Sequence, residues 1–258
     1  MLMSALALRI IATLSMLIDH IGYCFNIDIF RIVGRLAFPL YVFLMVNGFR
    51  HTKNRKKYAL RMGIFAIISQ IPFQLMRHVG ILSFEVFLKK PALLFANLNV
   101  MVTLLLGLLV IWLCDAMRRS RYTRCLCLLP AIAMFFAYYK GLISSDYGAK
   151  GILLATVFWF FDGNKIWTSI GLIFAMYYDL LVHYAYRLLH GLPVGGLGYW
   201  HIIQLAVLLV LPLIFLYNGK SGNPKNLKAK KAIQIGFYAF YPAHMLLLWA
   251  IAQFTAYF

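Results

Sequence analysis

Apolar runs of membrane-spanning length recur from one end of this chain to the other, and few folds can accommodate them. A helix needs roughly 17–25 mostly apolar residues to cross a hydrocarbon core. Candidate spans lie at about residues 5–25, 30–49, 58–76, 97–115, 124–140, 149–161, 165–182, 200–217 and 232–256, the sixth being short. The runs are continuous rather than alternating, which argues against a β-barrel. The expected fold is all-α: a polytopic integral membrane bundle of about nine transmembrane helices, one domain over residues 1–258 with no internal repeat. The first run has almost no basic segment before it and no small-residue cleavage site after it, so it reads as a retained helix.

Charge is scarce and one-sided. Only 12% of residues are charged, yet the net charge is +18. In a soluble protein that excess would point to nucleic acid. Here the basic residues cluster in short loops, RHTKNRKKYALR (50–61), RRSRYTR (118–124) and KSGNPKNLKAKK (220–231). Such loops tend to stay on the cytoplasmic side. Nine spans place all three there together, with the N-terminus cytoplasmic and the C-terminus outside. Anionic lipid or a phosphorylated cosubstrate is the expected partner of these loops, not nucleic acid. The outer loops are then about 26–29, 77–96, 141–148 and 183–199; they hold Asp28, Glu85, Asp146 and the tract GLPVGGLG (191–198), and Lys89 and Lys90 run against the rule. Cys24, Cys114, Cys125 and Cys127 lack metal-site spacing and read as small buried hydrophobes. No close-spaced histidine pair is present, so no metal is expected.

An ionisable residue inside a span is expensive and marks a candidate site. The first run, RIIATLSMLIDH (9–20), carries three. Arg9 and His20 are eleven residues apart, close to three full turns, so both lie on one helical stripe about 16 Å apart along the axis. That stripe should face the bundle interior, with Arg9 toward the cytoplasm and His20 in the outer half. Asp19 adjoins His20, and neighbours in sequence do not face one another on a helix. Its expected partner is Arg35 or Arg31 on one face of the second span, in an ion pair that locks the two helices. Pro39 should kink the second span and free a carbonyl. Ser69, Gln70, Gln74, Asn97 and Asn99 read as helix–helix hydrogen-bonding groups. Asn47 and Gly48 precede the basic loop at 50–61, which is either a topology determinant on anionic lipid or a phosphate-binding rim for a cosubstrate such as coenzyme A.

ALRIIATLSMLIDHIG, RIVGRLAFPLYVFLMVNGFRHTKNRKKYALR and AIISQIPF resemble the TraX family, known for acetylating the N-terminus of conjugative pilin. DYGAKGILL (146–154) and FYAFYPAHMLLLW (237–249) match its pattern too. The family is in turn similar to the wider membrane acyltransferase group that includes polysaccharide O-acetyltransferases and shares an Arg–ten residues–His motif in its first span. The spacing of Arg9 and His20 matches that motif. The resemblance implies a multi-pass enzyme of a bacterial inner (plasma) membrane that moves an acetyl group from cytoplasmic acetyl-CoA to an acceptor amine or hydroxyl. The acceptor is a pilin-like protein or an envelope glycan. His20 would be the general base, with Asp19 and Arg35 as further catalytic candidates, Arg35 toward an oxyanion. Arg9, Asn47, Arg50, Lys53, Arg55, Lys56 and Lys57 are the candidates for holding coenzyme A. A transporter or an assembly protein without chemistry remains the alternative.

Overall fold

The computed structural model describes residues 2–78, 89, 91–193, 196 and 198–255. Glu85, Lys90, Val194, Gly195 and Leu197 therefore lie outside the described residues.

Eleven α-helices follow one another among the described residues. They are α1 (Ala5–Cys24), α2 (Asp28–Gly34), α3 (Ala37–His51), α4 (Arg55–Arg77), α5 (Val100–Arg119), α6 (Leu129–Tyr139), α7 (Gly148–Phe160), α8 (Lys165–Leu189), α9 (Tyr199–Gln204), α10 (Val210–Phe215) and α11 (Leu227–Thr255). Short 3-10 turns at Arg124–Leu126 and Leu205–Leu209 lead into α6 and α10. Several starts are fixed by polar caps. Ser4, Asn54, Asn99 and Asn164 accept from Ala7, Lys57, Met101 and Trp167 N–H at 2.8–3.2 Å, satisfying donors that a helix cannot pair internally.

Six segments are long and apolar enough to cross a membrane: Ala5–Cys24, Asp28–His51, Arg55–Arg77, Val100–Arg119, Lys165–Leu189 and Leu227–Phe254. Arg124–Tyr139, Gly148–Phe160 and His201–Phe215 are apolar but shorter. All nine coincide with the runs marked from hydropathy, and the chain is a polytopic helical membrane bundle. The sixth run is short, as expected. The 13 residues of α7 extend about 20 Å, less than the roughly 30 Å hydrocarbon core.

Pro39 acts as expected, though as a break rather than a kink. The second span divides at Arg35–Leu36, and Pro39 sits in the first turn of α3. Its ring nitrogen has no hydrogen to give Arg35 O, four residues earlier.

α1 packs along α2, α3 and α11; α4 along α5 and α11; and α7 along α3, α5 and α8. Leu8, Ala12, Leu40, Ile111, Ile152, Leu172 and Met245 are fully buried at these seams. Large apolar side chains such as Ile67, Leu113, Ile166 and Leu247 point outward instead, the arrangement suited to lipid. Of the cysteines, Cys114 and Cys127 are buried, Cys24 is half-buried and Cys125 departs from expectation by being exposed.

The two ends of the bundle are distinct. Ala5 N donates to Lys220 O at 2.9 Å and Leu6 N to Ser221 O at 3.0 Å. Arg55 pairs with Asp115 at 2.9 Å, and Asp115 also pairs with Arg119. The N-terminus and the three basic loops thus share one end. At the other end Tyr23 Oη donates to Arg77 O at 2.7 Å, and Leu98 N to Ser144 O at 2.9 Å. Gln70, Gln74 and Asn99 tie α4 to the start of α5 there. Asn99 Nδ2 reaches Gln70 Oε1 and Ala66 O, both at 2.7 Å.

Candidate functional site

A cavity of about 800 Å³ runs inside the bundle between α1, α3, α4 and α11. Arg9 and His20 both line it, as their shared stripe on α1 requires. Arg9, Arg61 and Lys230 line it at the basic end, and Leu44, Met45 and Leu104 in its apolar middle. His20, Asp19, Arg31, Arg35, Asp146 and Tyr147 line it toward the opposite end.

Asp19 is held twice. Its carboxylate accepts from Arg31 Nη1 and from Arg35 Nη2, each at 2.8 Å. The three side chains are only 12–16% exposed. Arg31 Nη1 also donates to Asp19 O at 3.1 Å, and Arg35 Nε to Arg31 O at 3.0 Å. The expected lock between the first two spans is therefore present, and it uses both arginines. Gly34 makes room for it, because a Cβ there would overlap the Asp19 side chain. Adjacency leads to the expectation that Asp19 points elsewhere than the Arg9–His20 stripe; that is corrected, because Asp19 lines the same cavity, where Arg31 of α2 and Arg35 just beyond it meet its carboxylate.

His20 has a partner that its sequence neighbourhood does not reveal. His20 Nδ1 lies 2.7 Å from His244 Nε2, and His244 Nδ1 lies 2.7 Å from Phe240 O. His244 is on α11 and 3% exposed. Among the described residues no three His, Cys, Asp or Glu side chains converge as metal ligands would.

Two further lining residues come from the turn before α7. Tyr147 adopts a left-handed backbone (φ 62°), a conformation that costs about 1–3 kcal/mol for a residue with a Cβ and that persists only where the surroundings impose it. Its ring stacks on Phe38 with centroids 3.7 Å apart. Burial lifts the Asp146 carboxyl above the ordinary carboxylate range, while Arg77 and Arg35 pull the other way and Asp19 adds to the rise. The motif DYGAKGILL marked this segment, but no spacing argument foretold that its first two residues would reach the cavity.

The expected phosphate rim at 47–57 is divided. Arg50 pairs with Asp162 and donates to the carbonyls of Phe158 and Trp159. Arg55 pairs with Asp115 and lies 4.1 Å from the Phe49 ring centroid. Both line a separate cavity of about 330 Å³. Lys53, Lys56 and Lys57 are exposed and, with Asn47, are not among the residues around the large cavity. Arg9 alone of the coenzyme A candidates lines that cavity, with its guanidinium 5.4 Å from the Phe237 ring centroid. Arg61 and Lys230, which the sequence reading did not single out, join it there. Arg61 Nε is buried with no hydrogen-bond partner among the described residues.

A family model described as TraX protein matches residues 4–252. The chain is 30% identical over 260 residues to a protein of Dichelobacter nodosus described as "Probable fimbrial assembly protein FimC, serogroup H1", covering 97% of this chain and 96% of that one. No solved structure matches.

Proposed function

Because the chain belongs to the TraX family, we propose that it is a membrane acetyltransferase that moves an acetyl group from acetyl-CoA to an acceptor amine. The observation that carries this reading is the one cavity lined by both Arg9 and His20. It offers cations at the basic end, apolar walls in the middle and a histidine beyond them. A ligand with a phosphorylated head and a thin, mostly apolar arm has that order of chemistry. The basic end takes the cytoplasmic side of a bacterial inner membrane. Arg9, Arg61 and Lys230 receive the coenzyme A phosphates, and the unpaired Arg61 Nε supports that assignment.

His20 acts as general base. The acceptor nitrogen attacks the thioester carbonyl, a C–N bond forms, and the imidazole takes the N–H proton. The tetrahedral oxyanion is stabilised by the guanidiniums of Arg31 and Arg35, which Asp19 holds in place. Collapse breaks the C–S bond, and the proton on His20 passes to the leaving thiolate, giving the acetylated amine and free coenzyme A. The name of the Dichelobacter nodosus relative, a probable fimbrial assembly protein, favours a pilin-type acceptor; an envelope glycan hydroxyl would use the same steps.

The test uses membranes containing the full chain, acetyl-CoA labelled in the acetyl group and a pilin-type acceptor. Wild type transfers label, and His20→Ala inserts normally but loses at least about 100-fold in rate. Full activity in His20→Ala removes the proposed mechanism. Unlabelled pilin alongside labelled envelope glycan would reassign the acceptor.

A further inference from the structure

The His20–His244 contact fixes which nitrogen of His20 can act. The two rings are tilted by only 3°, with centroids 5.0 Å apart and facing nitrogens 2.7 Å apart. Those distances leave little more than the two ring radii, so the imidazoles meet edge to edge in a shared plane rather than face to face. That is the geometry of a direct N–H···N hydrogen bond.

Its polarity follows from the far end. Phe240 O can only accept, so the hydrogen between it and His244 sits on His244 Nδ1. A neutral imidazole carries one N–H, so His244 Nε2 is bare and must accept. His20 Nδ1 therefore donates to it, and His20 Nε2 is left bare. Charge around the pair points the same way. The charged groups beside His20 are Arg31 and Arg35, and the carboxylate they share, Asp19, is already occupied by both. On α11, Phe240 and Tyr241 lie against His244 and bring no carboxylate. Among the described residues no carboxylate pairs with His244, whose ring nitrogens meet His20 and Phe240 O, and an uncompensated charge inside the bundle is costly.

We infer that His244 is a positioning residue: it holds His20 as the Nδ1–H tautomer and so presents the bare Nε2 to the cavity as the proton acceptor. The catalytic part of this inference rests on the acetyltransferase reading; the tautomer does not. The role parallels that of a buried carboxylate orienting a catalytic histidine, with an imidazole anchored on a helix carbonyl in its place.

Solid-state nitrogen NMR of the full chain, labelled with 15N-histidine in lipid bilayers, reads the tautomer directly, and a His20→Ala difference spectrum assigns the signals. Wild type should show His20 with hydrogen on Nδ1 and a bare Nε2. His244→Phe fills the space without an acceptor, and should move the hydrogen of His20 partly or wholly to Nε2. It should also lower kcat for acetyl transfer by about 10- to 100-fold while KM for acetyl-CoA stays within about twofold. His244→Gln offers an amide oxygen to His20 Nδ1, so it should keep the Nδ1–H tautomer and recover most of the rate. That recovery separates positioning from packing, and it serves if His244→Phe folds poorly. Hydrogen on His20 Nε2 in wild type, or a tautomer unchanged in His244→Phe, overturns the inference. Wild type that transfers no acetyl group overturns the enzyme reading instead, and the spectra still decide the tautomer.

Discussion

Removing the Asp19 carboxylate should be among the most damaging single changes in this bundle. Asp19→Ala leaves two guanidiniums, each now 2.8 Å from an acceptor, with no carboxylate. All three side chains are more than four-fifths buried, so water does not replace the lost partner. Breaking a buried ion pair by deleting one member costs about 3–5 kcal/mol. Part of the solvation survives, because Arg31 still donates to Asp19 O and Arg35 to Arg31 O. The lower end, about 3 kcal/mol, is therefore expected. Asp19→Asn keeps the shape and one acceptor oxygen and should cost less. Combining Asp19→Ala with Arg35→Gln removes an orphaned charge along with its partner, so the double variant should lose less than the two single losses added together. Denaturant titration in detergent micelles, followed by circular dichroism, measures these differences. An Asp19→Ala protein within about 0.5 kcal/mol of wild type, or additive behaviour in the double variant, would refute the reasoning, because either means the pair is solvated despite its burial.

Gly34→Ala tests the same lock from the opposite side. The new methyl overlaps the Asp19 side chain, and such overpacking costs about 1–3 kcal/mol; a variant as stable as wild type in the same titration shows that α2 can shift freely. Coenzyme A affinity separates the two basic regions. Arg61→Gln and Lys230→Gln, which face the large cavity, should each weaken binding about tenfold, as loss of one charge-assisted phosphate contact does, while Lys56→Gln should leave it within about twofold. Isothermal titration with coenzyme A in nanodiscs reads the contrast, and the reverse ranking would return the donor site to the 50–57 loop.

The course of the chain through the membrane was readable because it is a one-dimensional property. Hydropathy marks where a span begins and ends, and the nine apolar segments stand where it placed them. Local helical geometry carried further. Eleven residues between Arg9 and His20 meant one face, and adjacency meant that Asp19 needed a partner from another helix. Both statements need only the helical repeat. Which cations of the basic loops are tied up in ion pairs was not readable. Whether Arg50 and Arg55 are free depends on Asp162 and Asp115, which distant helices bring to them. His244 failed for the same reason: 224 residues separate it from His20, and nothing near YPAHMLLLW announces a partner. Arg61 and Lys230 looked like any loop-flanking cations until the fold placed them on the cavity wall. In each case the local pattern gave the chemistry a residue could offer, and only tertiary packing decided which neighbour received it.

The stoichiometry of the Asp19 cluster bears on what the cluster is for. A lock between α1 and α2 needs one arginine against one carboxylate, which neutralises the pair. Here two guanidiniums share one carboxylate, and burial disfavours the charged form of Asp146 at the same end of the cavity, so the cluster is richer in cations than a single ion pair requires. Keeping that excess in a low-dielectric interior is unfavourable, and packing alone gives no reason for it. An acyl transfer does, since its tetrahedral intermediate carries one negative charge next to the base that has just taken the proton. On the proposed reading, the cluster is balanced at the moment of reaction rather than at rest. Arg31→Gln or Arg35→Gln should then lower kcat for acetyl transfer more than either lowers stability. If single-turnover rates fall only in step with unfolding free energy, the extra arginine is structural and the oxyanion must be held elsewhere.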